Sequence, residues 1–358
     1  GCHEGKAAIA RFAGNRTYLE NGTATLLPQN CVVCHDPHGA AKDPATGLPW
    51  PGQLRFSIET PVLDQNLCTK CHNRQGDATP AGSRGPHGAQ GPVLFGTAGY
   101  FPPGSSYDTT TILASHGSAV NPRLCAGCHV NSLTGVDASG NNITFSGHSF
   151  HPLPCLQQKS PAVVDTTYTN NCAYDEPSRS WASCTQSGCH ATEAIAVQRL
   201  TQFETERDGY VHTLWVDVNG DQKLDAFPTD SGFLAKIKAS FPNDLDFTNA
   251  PYNTVLTPAK GALFNAQLTG EDLASHPDGS HGVHNPFLYR ALLQSSIADL
   301  LATYPGLLPA PPAPVMAGIQ AAVQSGQLKL PPRLAQAVAN ANLIRVAAAG
   351  TAQPTTQR

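Results

Sequence analysis

Cysteines that stand directly before a histidine are the feature that most constrains this chain. The 358 residues contain 11 cysteines and 14 histidines, and five of the cysteines immediately precede a histidine. Five such pairs are not expected by chance at this histidine content, so they share a chemical role. Three of them complete the pattern Cys-x-x-Cys-His, at Cys31, Cys34 and His35, at Cys68, Cys71 and His72, and at Cys125, Cys128 and His129.

The Cys-x-x-Cys-His spacing is the attachment pattern of haem c. Two thiols reach the two vinyl groups of one porphyrin, and the next residue brings an imidazole to the iron. A zinc knuckle or a redox dithiol also uses Cys-x-x-Cys. Neither of these sites needs a histidine directly after the second cysteine, so the repeated histidine favours haem.

Two further segments are variants of the pattern. The segment from Cys184 to Cys189 and His190 keeps the terminal Cys-His but has four residues between its cysteines. The chain opens with Gly1, Cys2 and His3, which has the form of the end of a fifth motif. We expect its first cysteine to lie before Gly1, with attachment through a single thioether as the alternative. The sequence therefore predicts about five haems.

The histidines outside the motifs can supply the second axial ligand of each iron. Met316 is the only methionine, so Met/His ligation can apply to one haem at most, and bis-histidine ligation is expected for the others. His38 is too close in sequence to His35 to bind the same iron and is assigned to a neighbouring haem. His212 and His276 are expected to be surface or hydrogen-bonded residues. The candidate distal ligands are His38, His87, His116, His148, His151, His281 and His284.

Cys155 and Cys172 have no adjacent histidine and are predicted to form a disulfide. This bond would persist only in an oxidising compartment. In the alternative, Cys172 belongs to a longer haem motif that ends at Cys189, and Cys155 pairs with Cys184.

A segment of alternating oxygen-bearing side chains resembles the calcium loops of dockerin and EF-hand proteins. It departs from that pattern at Gln222, where glycine is usual, and at Pro228, where a carboxylate is usual, although Asp230 could replace the latter. The sequence predicts Ca2+ binding here, with a polar turn as the alternative. The candidate ligands are Asp217, Asn219, Asp221, Lys223 and Asp225.

Composition excludes several partner classes. The formal net charge is −4 and there is no run of lysine or arginine, so neither nucleic acid nor an anionic membrane surface is expected to bind. No apolar stretch approaches the ~20 residues that cross a bilayer, so no transmembrane segment is predicted. There is no glycine-rich phosphate loop, Rossmann fingerprint or recognisable Ser/His/Asp arrangement, so nucleotide chemistry is not indicated and no catalytic residue is assigned.

The expected fold is mainly loop with short α-helices, very little β structure and haems in place of a large apolar core. Charged residues form 13% of the chain, against roughly 25% in average soluble proteins, and 32 Gly and 30 Pro favour irregular backbone. We predict a haem-binding region over residues 1–190 and a more helical region over 191–358 that folds back on the haems and supplies distal ligands. Helices are predicted at Ala191–Arg207, Gly232–Phe241, Pro258–Leu268, Phe287–Tyr304, Pro314–Gln324 and Pro332–Ala349.

The three Cys-x-x-Cys-His motifs, His-Asp-Pro-His-Gly after Cys34 and Val-His-Asn-Pro before a leucine-rich helix resemble the multihaem c-type cytochromes of metal-respiring microbes. The resemblance covers the haem half and residues 276–304. It implies an extracellular or cell-surface location, with the periplasm as second choice, and electron transfer along closely stacked haems to partner cytochromes and extracellular acceptors. Some members polymerise into conductive filaments, and the haem at Cys2 and His3 would be the candidate for such an interface.

Two classes of function fit a multihaem chain. An electron conduit would have every iron bound on both sides, whereas a nitrite or hydroxylamine type of oxidoreductase would keep one iron open for substrate. Pentahaem nitrite reductases usually replace one attachment histidine with lysine, and Cys-x-x-Cys-Lys does not occur here. Together with the surplus of histidine, this favours a non-enzymatic electron conduit.

Overall fold

The computed structural model describes residues 5–12, 30–109, 116–137, 139–145, 148, 150–159, 162–164, 172–186 and 189–351. Helix accounts for 42% and strand for 8%, which confirms the expectation of helices and loops with very little β structure. Over these residues, no helix combines the length and the apolar character needed to cross a bilayer.

The helices that the structure describes are mostly short in the first half of the chain and longer in the second. In chain order they are α1 Gly5–Phe12, α2 Cys31–Cys34, α3 Gln90–Leu94, α4 Cys125–His129, α5 Ala182–Thr185, α6 Glu193–Leu214, α7 Phe233–Ser240, α8 Pro258–Thr269, α9 Pro286–Thr303, α10 Ala313–Gln324 and α11 Pro332–Thr351. Short 3₁₀ turns lie at Pro51–Gln53, Cys68–Lys70, Pro242–Leu245 and Tyr252–Thr254.

The described strands form two small sheets. The strands are β1 Ser106–Tyr107, β2 Leu133–Val136, β3 Asn142–Phe145, β4 Leu156–Gln158, β5 Val163–Val164 and β6 Leu328–Lys329. Strands β1 and β6 make an antiparallel pair, with Ser106 opposite Lys329. The other four form a sheet of order β3-β2-β5-β4, in which β2 is antiparallel to β3 and parallel to β5.

The chain divides into two compact units. Unit 1 comprises Gly1–Asn73 and Gly117–Arg199, and unit 2 comprises Arg74–His116 and Leu200–Arg358. The last boundary along the chain lies between Arg199 and Leu200, and the haem-binding role predicted for residues 1–190 stays a prediction. The segment Arg74–His116 differs, because it belongs to the mainly helical unit and not to the unit that carries the motifs.

Apolar packing explains why this segment belongs to unit 2. Ala89, just before α3, and Val93, within α3, are fully buried with Leu288 and Leu292 of α9. Asn265 of α8 is also fully buried, and its amide nitrogen donates to the Tyr100 carbonyl at 2.8 Å while its side-chain oxygen accepts from the Tyr100 amide at 2.8 Å. Such non-local contacts leave no local sequence pattern.

Unit 2 has a conventional core of buried aliphatic and aromatic side chains. Helix α9 packs against α8 and α11, and α7 packs against α8. Helices α8 and α9 each begin with proline after a side chain that caps the helix: Thr257 accepts from the Lys260 amide, and Asn285 accepts from the Leu288 amide. These local signals explain why both helices begin within one residue of their predicted starts.

Helix α6 is longer than predicted because its last two turns enter the core. The sequence predicts an end at Arg207, whereas the helix continues to Leu214. Tyr210, Val211 and Leu214 on these turns are buried in the core of unit 2. Tertiary burial therefore extends a helix beyond its amphipathic pattern.

Unit 1 buries few large apolar side chains. Within its described residues the large buried ones include Val33, Leu67, Leu124 and Trp181, and each lies inside a cysteine motif or within three residues of one. The Trp181 indole nitrogen donates to the Asp175 carbonyl at 3.0 Å. The packing of this unit is therefore concentrated at the motifs.

Candidate haem-attachment site

The cysteine motifs of unit 1 share one backbone turn. The His35 amide donates to the Cys31 carbonyl at 2.8 Å, and the His72 amide donates to the Cys68 carbonyl at 3.1 Å. Cys125–His129 forms one short helix, α4. In each of these motifs the histidine therefore lies one helical turn after the first cysteine.

The longer motif, which runs from Cys184 to His190, forms the same hydrogen bond. The His190 amide donates to the Cys184 carbonyl at 3.1 Å, although two more residues separate them than in the other motifs. The Cys189 amide donates to the Gln186 carbonyl at 3.1 Å. The first cysteine and the histidine therefore keep the hydrogen bond found in the shorter motifs.

The thiols of successive motifs influence one another electrostatically. A hydrogen bond with the Cys125 thiol raises the pKa of Cys68, and burial and the Cys34 thiol raise it further. Burial raises the pKa of Cys128 to about 12, with smaller contributions from Cys184 and Cys189. The thiols of each described motif therefore lie close in space to those of the next motif along the chain. The raised pKa values hold the Cys68 and Cys128 thiols in the neutral form at neutral pH.

Two motif histidines have their rings anchored through Nδ1. His35 Nδ1 lies 2.6 Å from the Gly52 carbonyl oxygen, and His129 Nδ1 lies 3.0 Å from the Phe150 carbonyl oxygen. A carbonyl can only accept, so Nδ1 carries the hydrogen in both rings. A metal would then bind through Nε2, which is the usual arrangement of a ligating histidine.

Three candidate distal histidines in unit 2 are anchored in the same way. His116 Nδ1 donates to the Val283 carbonyl at 2.5 Å. His281 Nδ1 lies 2.8 Å from a Glu204 carboxylate oxygen, and His284 Nδ1 lies 2.8 Å from Asp278. The hydrogen bond with Glu204 is the main cause of the raised pKa of His281.

Asp278 is a buried carboxylate that orients His284. Its oxygens accept from the His284 ring at 2.8 Å, from the Tyr289 hydroxyl at 2.8 Å and from Ser280. Burial acts to raise the pKa of Asp278, but the adjacent His284 and these hydrogen bonds outweigh it and lower the pKa. His284 also directly precedes the cap of α9, so its position is fixed by both a carboxylate and a helix start.

The remaining histidines have different surroundings. His38 is exposed, and its backbone amide donates to Asp36, whose pKa is lowered mainly by the hydrogen bond from the Ala41 amide. The His87 and His276 rings contact each other edge to face, with their centres 4.4 Å apart. His151 is half-buried, and His212 is exposed on α6.

Two predicted motif residues lie outside the described residues. These are Cys2 and His3 at the start of the chain. The haem predicted for this motif stays a prediction.

A disulfide joins Cys155 to Cys172, with a Cα–Cα distance of 5.9 Å. This is the pairing that the sequence favoured, and it leaves Cys184 available to the long motif. Arg179, which is 2% exposed, lies against this bridge. Its guanidinium donates to the carbonyls of Cys172 and Leu153, each at 2.8 Å, and of Ala173 at 3.2 Å.

The acidic loop of unit 2 is held by hydrogen bonds from its own backbone amides. Asp217 accepts from the Gly220 and Gln222 amides, at 2.9 and 2.7 Å. Asn219 accepts from the Asp221 amide at 3.2 Å, and Asp221 accepts from the Lys223 amide. Its side chains are thus already used to shape a turn, and calcium binding stays a prediction.

The donor set fits haem c and not a protein-only metal cage. Among the residues that the structure describes, no three histidine, cysteine or acidic side chains are grouped so that they could hold a metal ion by themselves. The motif residues supply paired thiols and an oriented imidazole, which are the groups that haem c requires. No protein-family model, no curated protein and no solved structure matches the chain.

Several residues that shape the site carry no pattern in the sequence. Gly52 has a φ of 66° in a 3₁₀ turn, and its carbonyl oxygen anchors His35. Glu204 and Asp278 orient histidines from other segments of unit 2. Only the Pro-Gly pair at residue 51 signals a turn in advance, and nothing in the sequence links that turn to His35.

Proposed function

We propose that this chain is an extracellular electron-transfer protein that carries about five haem c groups with two histidines on each iron. The observation that carries the proposal is the turn common to the motifs, in which the histidine amide donates to the carbonyl of the first cysteine in both short and long motifs. Haem c, when bound, supplies one-electron redox chemistry at its iron.

The residues of the chain have separate roles in this proposal. Cys31, Cys34 and their counterparts anchor the group covalently, and the adjacent histidine supplies one axial nitrogen. Hydrogen bonds at Nδ1 fix the orientation of the ring, as for His35 and His129. The thiols of successive motifs lie close together, and this supports short distances between successive haems.

The proposed location is the cell surface or the extracellular space. The Cys155–Cys172 disulfide supports an oxidising compartment. The proposed partners are redox cytochromes and extracellular electron acceptors, and the further proposal that the chain polymerises into filaments is tested by electron microscopy of the purified holoprotein.

The first experiment combines haem quantification with electron paramagnetic resonance of the oxidised holoprotein. A pyridine haemochrome assay should give about five haems per chain, and the spectrum should contain only low-spin signals. A substantial high-spin signal that shifts when nitrite or hydroxylamine is added would place the oxidoreductase hypothesis first. A chain that matures without haem would refute both.

A matched pair of double variants tests the assignment of the cysteines. Cys125→Ala with Cys128→Ala should lower the haem count by one, measured by intact mass and the haemochrome assay. Cys155→Ala with Cys172→Ala should leave the count unchanged, because these two residues form the disulfide. Loss of a haem from the second variant would contradict the assignment.

A further inference from the structure

The His148 ring lies beside the His35 ring of the first motif. The two ring centres are 6.2 Å apart, and their planes differ by 34°. Both residues belong to unit 1 but are far apart in sequence, so the fold brings them together. The spacing is larger than that of two directly stacked rings.

This spacing matches two imidazoles that share one metal. A bond between a metal and an imidazole nitrogen is about 2 Å long, and the ring centre lies roughly 1 Å beyond that nitrogen, so ring centres on opposite sides of one metal are about 6 Å apart. Of the separations between histidine rings that the structure gives, the one between His35 and His148 meets this requirement.

The orientation of His35 agrees with this arrangement. Its Nδ1 is held by the Gly52 carbonyl oxygen at 2.6 Å, so it would bind a metal through Nε2. His148 is exposed, and its ring lies beside the rings of His35 and Phe150, the latter with its centre 6.3 Å away. Phe150 in turn supplies the carbonyl oxygen that anchors His129, so His148 and Phe150 each lie beside a motif histidine.

Another pair of histidine rings provides a contrast. His87 and His276 have centres 4.4 Å apart and perpendicular planes, which is direct edge-to-face contact. That distance leaves no room for a metal between them. Proximity of two histidines is therefore not sufficient, and the spacing distinguishes the two pairs.

From this geometry we infer that His148 is the distal axial ligand of the haem attached at Cys31 and Cys34, opposite His35. The inference rests on the proposed function, because it assigns a ligand to one of the proposed haems. Because His38 is too close in sequence to His35 to bind the same iron, the inference narrows the six remaining candidate distal histidines to one for this iron.

The first test is His148→Ala in the full-length holoprotein. Electron paramagnetic resonance should show a high-spin signal equal to about one haem of the five, and added imidazole should return it to low spin. The control His212→Ala, at an exposed position on α6, should remain fully low-spin. A fully low-spin His148→Ala protein with its haem count intact would overturn the inference.

The second test locates the affected iron. In a Cys31→Ala/Cys34→Ala background, which lacks the haem of the first motif, adding His148→Ala should produce no high-spin signal. A high-spin signal in this background would show that His148 binds a different iron, which overturns the pairing.

A third variant covers failure of His148→Ala to mature. His148→Met offers a thioether in place of the imidazole and should raise the reduction potential of one haem. Potentials unchanged from those of the parent protein would contradict the assignment. The wild-type protein separates the two proposals: without haem the proposed function fails, whereas five low-spin haems that are unaffected by changes at His148 refute the ligand assignment alone.

Discussion

Asp230 is a fully buried carboxylate that fastens the acidic loop of unit 2 to the core. Its oxygens accept from the Trp215 indole nitrogen at 2.8 Å and from the amides of Val218 and Asp225 at 3.1 and 2.7 Å. Three donors therefore depend on one side chain. The sequence suggested Asp230 only as a substitute calcium ligand, whereas its observed role is to hold the loop.

We expect Asp230→Ala to lower the free energy of unfolding by about 3 kcal/mol, because buried donors lose their acceptor. Urea unfolding followed by circular dichroism measures the loss. The control is Asp221→Ala on the same loop, where the residue is exposed and a loss below about 0.5 kcal/mol is expected. Equal losses for the two variants would show that Asp230 has no special role.

Asp299 on α9 gives unit 2 a pH dependence. The residue is 1% exposed, and burial raises its pKa, while the Arg333 guanidinium, 2.8 Å away, acts in the opposite direction. A carboxyl whose pKa is raised by folding binds its proton more tightly in the folded chain. The stability it confers is complete below the unfolded pKa of about 3.9 and is lost as pH rises through the folded pKa.

We therefore expect the free energy of unfolding to fall as pH rises above about 4, and to fall less in Asp299→Asn. Urea titrations at a series of pH values compare the two proteins, with the exposed Asp272→Asn as control. If the free energy of unfolding falls equally with pH in the parent protein and in Asp299→Asn, Asp299 is not the cause of the pH dependence.

At the scale of elements, two glycines in helices of unit 2 have opposite surroundings. A Cβ at Gly261 in α8 would collide with the Tyr100 ring, whereas a Cβ at Gly209 in α6 would meet its nearest atom, Val315 Cγ2, at 3.6 Å. Gly261 therefore allows the close approach of Tyr100. Gly209 has no steric need to be glycine.

Gly261→Ala should lower the free energy of unfolding by about 2 kcal/mol through overpacking. Gly209→Ala should raise it by roughly 0.5 to 1 kcal/mol through better helix propensity. Thermal unfolding of the two variants gives the signs directly. Stabilisation by both substitutions would mean that the Tyr100 ring moves aside without cost.

The cap of α9 also joins two segments of unit 2. Asn285 is fully buried; its oxygen accepts from the Leu288 amide at 3.0 Å and its nitrogen donates to the Val93 carbonyl at 3.2 Å. Asn285→Ala should cost about 2 kcal/mol, for the lost cap and the lost buried hydrogen bond to Val93. Thr257→Ala, at the cap of α8, should cost about 1 kcal/mol. Chemical denaturation measures both, and a smaller loss at Asn285 than at Thr257 would contradict this account.

The ends of a helix can be predicted when the residues that determine them are adjacent in sequence. The starts of α8 and α9 are correct because proline and the cap residues are adjacent in sequence. The end of α6 and the membership of Arg74–His116 were not predictable, since both depend on burial against distant helices. For the site, cysteine spacing predicts the motifs, whereas the proximity of His35 and His148 arises only from folding.

At the scale of the whole molecule, the two units differ in what stabilises them. Unit 2 has an extensive apolar core, while the described part of unit 1 buries few large apolar side chains away from its motifs. We expect unit 1 to depend on covalently bound haem and unit 2 to fold without it. The reason is that the described apolar clusters of unit 2 are formed by its own side chains.

Expression without the haem-attachment machinery tests this difference. Limited proteolysis of the resulting apoprotein should cleave within residues 30–73 and 117–190. It should leave two resistant fragments of unit 2, one from about residue 74 to about residue 116 and one that begins near residue 200. The holoprotein should resist cleavage in both units. Equal sensitivity of both units in the apoprotein would show that unit 2 also needs haem to fold.

The concentration of packing at the motifs has an evolutionary consequence. Where side-chain packing determines a fold, as at Leu292 and Ile297, substitutions and insertions are restricted along the whole element. In unit 1 substitution is restricted mainly at the cysteines, the histidines and the few residues that orient them, such as Gly52. Descendants of such a unit can change the length and composition of the segments between motifs while they keep the same redox groups. We therefore expect unit 1 to diverge faster than unit 2.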